Sequence, residues 1–272
     1  MVATDLTQQN ESAVHTASEL ARLSGSRLHV VRALENSEPV SAGDVEAHVR
    51  GVIGDSDLEI EVVVMRGPPG AVVGQEARRI GADVVVLGPH RHREQRALGS
   101  TADRVVRTSA TPCLILPERL RLPLRHVLAP VDSSAGARGA LAVALTWASA
   151  LRDRRHGTRV TALHIAPELM ESEDDHDHAS DVAALEAEVE SIRTGLAGVA
   201  HVDVESVVLH NASEGQRIVR YAEEAGVDLI VIGTRGRSMT QAAILGSTSS
   251  EVVREASGPV LLVPPEKWIG ET

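Results

Sequence analysis

No phenylalanine occurs anywhere in the 272 residues, and the only aromatics are Trp147, Tyr221 and Trp268. Binding of single-stranded nucleic acid stacks bases on aromatic side chains, so that class of function is set aside. Duplex DNA and anionic membrane surfaces are set aside by charge: 38 acidic side chains against 27 basic ones leave a net charge of −11. Lysine is as scarce as the aromatics. Lys267 is the only one, and every other residue in the basic count is arginine. A Walker-type phosphate loop needs a lysine directly after its last glycine, so that mechanism is excluded. Cys113 is the only cysteine, which rules out an intrachain disulfide. Its setting, the apolar run 112–116, reads as a buried strand and makes it an inert core residue. No run of 18 apolar residues exists, so no spanning helix is expected. The opening residues MVATDLTQQNES have neither the basic region nor the apolar core of a secretory signal, so a cytoplasmic protein is expected.

The aliphatic residues that are abundant fall into an alternation of strands and helices, sharpest in the stretch 228–264. Residues 228–232, DLIVI, form the unbroken apolar run of a parallel strand buried on both faces. Gly233 and Gly236 follow, and Gly246, Ser247 and Thr248 open a segment in which Val252, Val253 and Ala256 fall at helical spacing. Gly258 and Pro259 stop that helix, and 260–263 is a second buried strand. Ser247 reads as the N-cap. A helix N-terminus offers free N–H groups and a partial positive charge, and so binds phosphate without a lysine.

The same plan occurs twice. Gly81 and Asp83 align with Gly226 and Asp228, 145 positions on, whereas Gly99 and Pro112 align with Gly246 and Pro259, 147 positions on. The first loop is therefore two residues shorter. Strands are expected at 2–5, 27–34, 58–65, 83–87 and 112–116, then at 126–131, 158–165, 201–209, 228–232 and 260–263. Helices are expected at 12–23, 40–52 and 70–80, then at 136–151, with Ser133 or Ser134 as its cap, at 182–196 and at 214–225. Residues 119–125 form a short basic linker. Residues 168–178, ELMESEDDHDH, form an acidic insertion without apolar periodicity. His176 and His178 have metal-ligand chemistry, but a run of like charge more often stays solvated, and the expectation is a poorly ordered segment. Strands alternating with helices make an open parallel sheet with helices on both faces. Ligands of such sheets sit beyond the carboxyl ends of the strands, where the strand order reverses.

The spacing of Gly233, Gly236, Gly246 and Ser247, with the valine pair after them and the strand that closes the fold, resembles the nucleotide loop of the universal stress protein family. The resemblance extends over nearly the whole chain. It implies two tandem α/β domains, 1–117 and 126–272, joined by a linker at 118–125. Each would be a five-stranded parallel sheet of strand order 3-2-1-4-5, paired as an internal pseudo-dimer through the last strands, with a further homodimer as an option. It implies ATP as the ligand, with Mg2+ or Mn2+ as the accompanying cation. The ATP-binding residues would be Asp132, Ile165, Gly233, Arg235, Gly236, Arg237, Gly246, Ser247 and Thr248. Glycine N–H groups and hydroxyls would surround the phosphates, and Asp132 would lie near the ribose, phosphates and cation. The Ile165 backbone would meet the adenine, and Arg235 and Arg237 would add charge. The alternative is that the glycines only shape a tight loop.

In the first half the loop keeps Gly88, Gly99 and Ser100, but Arg91 stands where the middle glycine belongs and Pro89 removes a donor. Asp5 and Ala33 keep the places of Asp132 and Ile165. Asp5, Ala33, Gly88, Arg91, Gly99 and Ser100 therefore read as a degenerate site, able at most to hold a small anion. No Ser/His/Asp or Cys/His nucleophile set can be assembled, so no catalytic residue is assigned. The resemblance implies an ATP-binding regulator of a stress response acting through the second half. The alternatives are a slow ATPase or autokinase, and an interaction protein that binds no nucleotide.

Overall fold

The apolar runs pair side by side as parallel strands in a computed structural model of the chain, which describes residues 1–35, 39–54, 56–88, 100–108, 110–153, 155, 157–166, 175–210, 213–235 and 245–265. The chain divides into two compact units, Met1–Leu120 and Arg121–Thr272. The first runs β1 (Val2–Ala3), a single 3-10 turn (Gln8–Asn10), α1 (Glu11–Ser24), β2 (Leu28–Leu34), α2 (Ala42–Ile53), β3 (Ile60–Arg66), α3 (Pro69–Ile80), β4 (Val85–Leu87), α4 (Ser100–Thr108) and β5 (Cys113–Ile115). The second runs β6 (His126–Pro130), α5 (Ala135–Ala150), β7 (Arg159–Ala166), α6 (Asp175–Thr194), β8 (Asp203–His210), α7 (Glu214–Glu224), β9 (Leu229–Gly233), α8 (Ser247–Glu255) and β10 (Val260–Val263).

Within the first unit the strands lie in the order β3-β2-β1-β4-β5, every pairing parallel. Within the second they lie in the order β8-β7-β6-β9-β10. Counted from its own first strand, each unit has the expected order 3-2-1-4-5. Side-chain pattern explains the placement. β6, β9 and β10 are buried along their whole length, as unbroken apolar runs require. β3 and β8, which alternate or carry charge, are half-exposed. Helix starts follow local chemistry: Ser41 and Asp44 cap α2 reciprocally, and Ser134 caps α5 by accepting from the Ala137 N–H at 3.1 Å.

The acidic insertion differs from expectation. Residues 168–174 lie outside the described residues, but Asp175–His178 belong to α6, which runs unbroken to Thr194. Aspartates at the N-terminal end of a helix suit its macrodipole. The charges that erase the apolar periodicity therefore do not stop the helix, which is anchored further on by Leu185, Val189 and Ile192. The segment 118–125 is pinned at both ends. Leu120 is buried and its N–H donates to Thr16 Oγ1, and Leu124 is buried with its carbonyl accepting from Thr158 Oγ1 at 2.6 Å. Cys113 is buried with Sγ against the Thr111 carbonyl, and burial pushes its thiol up to about 12.

One ionic cluster sits inside the first unit. Glu76 on α3 is 2% exposed, faces His29 Nε2 at 2.8 Å, and accepts from Arg79 Nε at 2.8 Å and Nη2 at 2.7 Å. Hydrogen bonds from Arg79 first, and from His29 after it, hold the Glu76 carboxyl below the usual carboxylate range against the opposing effect of burial. Because the folded pKa is depressed, the stabilisation is present above the ordinary carboxylate pKa of about 4 and is lost as pH falls through the folded value. Glu76→Gln should cost about 1–3 kcal/mol near neutral pH, because a neutral amide pairs less well with the Arg79 guanidinium and with His29. Urea midpoints of variant and wild type should converge as the pH falls below about 4. A gap of the same size in acid would contradict this account.

Candidate functional site

In the second unit the strand order reverses between β6 and β9, and a cleft of about 690 Å³ opens at their carboxyl ends. Its floor begins at Asp132, just past β6. Asp132 Oδ1 accepts from the Ser134 N–H at 3.1 Å, and the residue between them, Ser133, has φ 61. The first unit makes the same turn: Thr7 donates from N and from Oγ1 to Asp5 Oδ1 at 3.0 and 2.6 Å, around Leu6 with φ 62. A left-handed non-glycine residue following the strand-end acid is thus built into both repeats, and no residue type in the sequence signals it. On β7, Ile165 is buried against the cleft, and His164 donates from Nδ1 to the Val131 carbonyl at 2.7 Å.

The glycines have reasons other than those their spacing suggests. A Cβ on Gly233 would lie 2.7 Å from both the carbonyl carbon and oxygen of Gly136 and 3.2 Å from the Ala137 nitrogen. A Cβ on Gly136 would strike the Arg235 carbonyl oxygen. Gly233 lines the cleft, but its missing side chain admits the first turn of α5. The N-cap is a correction: it is Gly246, at φ −65 and ψ 156, and Ser247 is the first helical residue. An N-cap must be non-helical while its carbonyl accepts the first helical bond, and Gly246 does this for the Ser250 N–H at 2.9 Å. The Gly246 N–H is already given to the Thr234 carbonyl at 2.8 Å, so it is not a donor for phosphate. The donors left are the N–H groups of Ser247, Thr248 and Ser249, which have no backbone acceptor among the described residues and belong to residues that line the cleft. Ser249 Oγ ties this helix start to the strand end, donating to the Gly233 carbonyl at 2.6 Å.

The structure therefore gathers Asp132, Ile165, Gly233, Arg235, Gly246, Ser247 and Thr248 around one cleft. Gly236 and Arg237 lie outside the described residues. So do Arg91 and Gly99 of the first unit, where Ser100 is placed only as the first residue of α4. Asp5 and Ala33 hold the places their alignment predicts, and a Cβ on Gly88 would lie 2.7 Å from Asn10 Nδ2, so a side chain fills the room that backbone takes in the second unit. Sequence reasoning missed Glu214 and Glu251, which line the cleft from α7 and α8. Among the described residues no three His, Cys, Asp or Glu side chains converge as a metal cage. A divalent cation here would be held chiefly by ligand phosphates beside Asp132. No helix among the described residues is long and apolar enough to cross a membrane.

The sequence pattern of the universal stress protein family matches residues 1–117 and again residues 123–264. The chain belongs to the universal stress protein family. A universal stress protein of Synechocystis is 31% identical over 182 residues, which span 66% of this chain and 57% of that protein. One from Thermus aquaticus is 31% identical over 51% of this chain and 98% of its own length. The crystal structure of a universal stress protein from Archaeoglobus fulgidus superposes with a TM-score of 0.72 over 97% of this chain and 98% of that one, at 19% identity. That likeness supports the fold. The double match makes this chain a tandem member of the family.

Proposed function

We propose that the second unit binds an adenine nucleotide, ATP accompanied by Mg2+ or Mn2+, and that the chain acts as a nucleotide-binding regulator in a stress response. The observation that carries this reading is the helix start at Ser247. Three backbone N–H groups without a backbone acceptor among the described residues line a cleft at the topological switch point, beside the strand-end carboxylate of Asp132. Arg235, which lines the cleft, supplies cationic charge that lysine supplies elsewhere, and Arg237, two positions on in the sequence, is assigned to the same role. The first unit is read as a degenerate partner. The pairing of the two units as an internal pseudo-dimer, and a cytoplasmic setting, belong to the same proposal.

Mass spectrometry of ligands released from protein purified without dialysis should find an adenine nucleotide, close to one per chain. Radiolabelled ATP added to the purified chain should be retained unchanged. Released product accumulating with time would favour a slow ATPase, labelled protein an autokinase, and no retained nucleotide an interaction protein.

A further inference from the structure

The walls of the cleft carry charge of the sign its proposed ligand least needs. Among the described residues, Asp132, Glu214 and Glu251 line it against a single guanidinium, Arg235. Glu214 Oε2 accepts from Thr248 Oγ1 at 2.8 Å. Its carboxylate therefore sits at the first turn of α8, the positive end of the helix that would hold phosphate. Glu251, one turn further along α8, accepts from Ser213 Oγ at 3.4 Å through either oxygen. Room for it is made by Gly215, where a Cβ would lie 2.7 Å from the Glu251 Cβ and 2.8 Å from its carboxyl carbon.

The first unit shows that the fold does not need these acids. A Cβ on Gly70 would lie 2.6 Å from the Arg104 Cβ, the same helix-on-helix contact that Gly215 makes with Glu251. By that equivalence Arg104 stands in the place of Glu251, and Pro69 in the place of Glu214. Both carboxylates belong to the second unit alone, in the repeat whose glycine loop is complete.

We infer that Glu214, with Glu251 behind it, selects the charge state of the nucleotide that the cleft accepts. A resident carboxylate at the N-terminus of α8 already complements the helix dipole and repels a free triphosphate. It admits a nucleotide whose charge is lowered by a bound divalent cation or by fewer phosphates. The inference rests on the nucleotide reading above and adds to it a specificity residue and a ligand form.

Glu214→Gln tests it, because glutamine keeps an acceptor for Thr248 Oγ1 and removes the charge. The full-length chain is titrated calorimetrically with ATP in EDTA, with ATP in excess Mg2+, and with AMP in EDTA. Glu214 is exposed, so solvent screening limits the effect. The variant should bind cation-free ATP about two- to fivefold more tightly than the wild type. It should tighten on AMP and on Mg2+-ATP by less, since each carries less net charge than cation-free ATP. Adding Glu251→Gln should extend the gain, and raising the salt concentration should shrink it. An equal gain with and without Mg2+, or no gain for cation-free ATP, would overturn the inference while the nucleotide reading stands. Weakening in all three titrations would also overturn it, showing that Glu214 only positions Thr248. If the wild type binds none of the three ligands, the nucleotide reading falls and takes this inference with it.

Discussion

Gly136→Val should destabilise the second unit by about 3 kcal/mol or more, the range of severe overpacking. The atoms that a side chain would meet are backbone atoms. A Cβ on Gly136 strikes the Arg235 carbonyl oxygen, and a Cβ on Gly233 would lie 2.7 Å from the Gly136 carbonyl group. Backbone cannot rotate out of the way as a long side chain can, so α5 would have to move off the end of β9. That displacement would carry Asp132 and the cleft floor with it, since Ser134 both caps α5 and donates to Asp132. Gly51→Ala is the control. It lies within α2 with nothing within 4 Å of its added Cβ, and should be neutral or stabilising by about 0.5–1 kcal/mol. Urea unfolding of the three proteins reads both effects. A Gly136→Val protein with the wild-type midpoint would contradict the packing described here.

Gly246→Val should remove nucleotide binding while leaving the chain folded. The backbone of Gly246, at φ −65 and ψ 156, is open to any residue, so the turn itself tolerates valine. The consequence lies in the cleft. Gly246 is buried in its wall, between the end of β9 and the three N–H groups of α8, and a branched side chain there closes the approach to them. At ligand about 100 times its dissociation constant, the wild type should gain about 2.7 kcal/mol of stability. The variant should show no ligand-dependent shift in thermal unfolding. A variant that gains as much as the wild type would move the site elsewhere.

Much of the fold was legible because the repeats state it twice. Apolar runs such as 228–232 and 260–263 can only be satisfied inside a parallel sheet, and each reappears in the first half with its flanking glycine and proline. Asp132 and Ile165 were named through the family resemblance, and the structure places Asp132 just past β6 and Ile165 near the end of β7, both on the cleft. What was not legible depends on contacts between elements distant in sequence. Nothing local marks Gly136 as the partner of Gly233, or Glu251 as the residue that fills the space over Gly215. The role of Ser247 was misplaced by one residue because serine is the better cap by type, while the backbone gave that position to Gly246. The start of α6 was misplaced because periodicity detects a buried face, and the first turns of that helix carry charge instead of an apolar stripe.

The most direct test is the stoichiometry of ATP binding to the full chain, measured by calorimetry in excess Mg2+ on wild type and Gly246→Val. One site per chain, lost in the variant, is the expected result. Two equal sites, or one site that survives Gly246→Val, would contradict a single nucleotide site in the second unit.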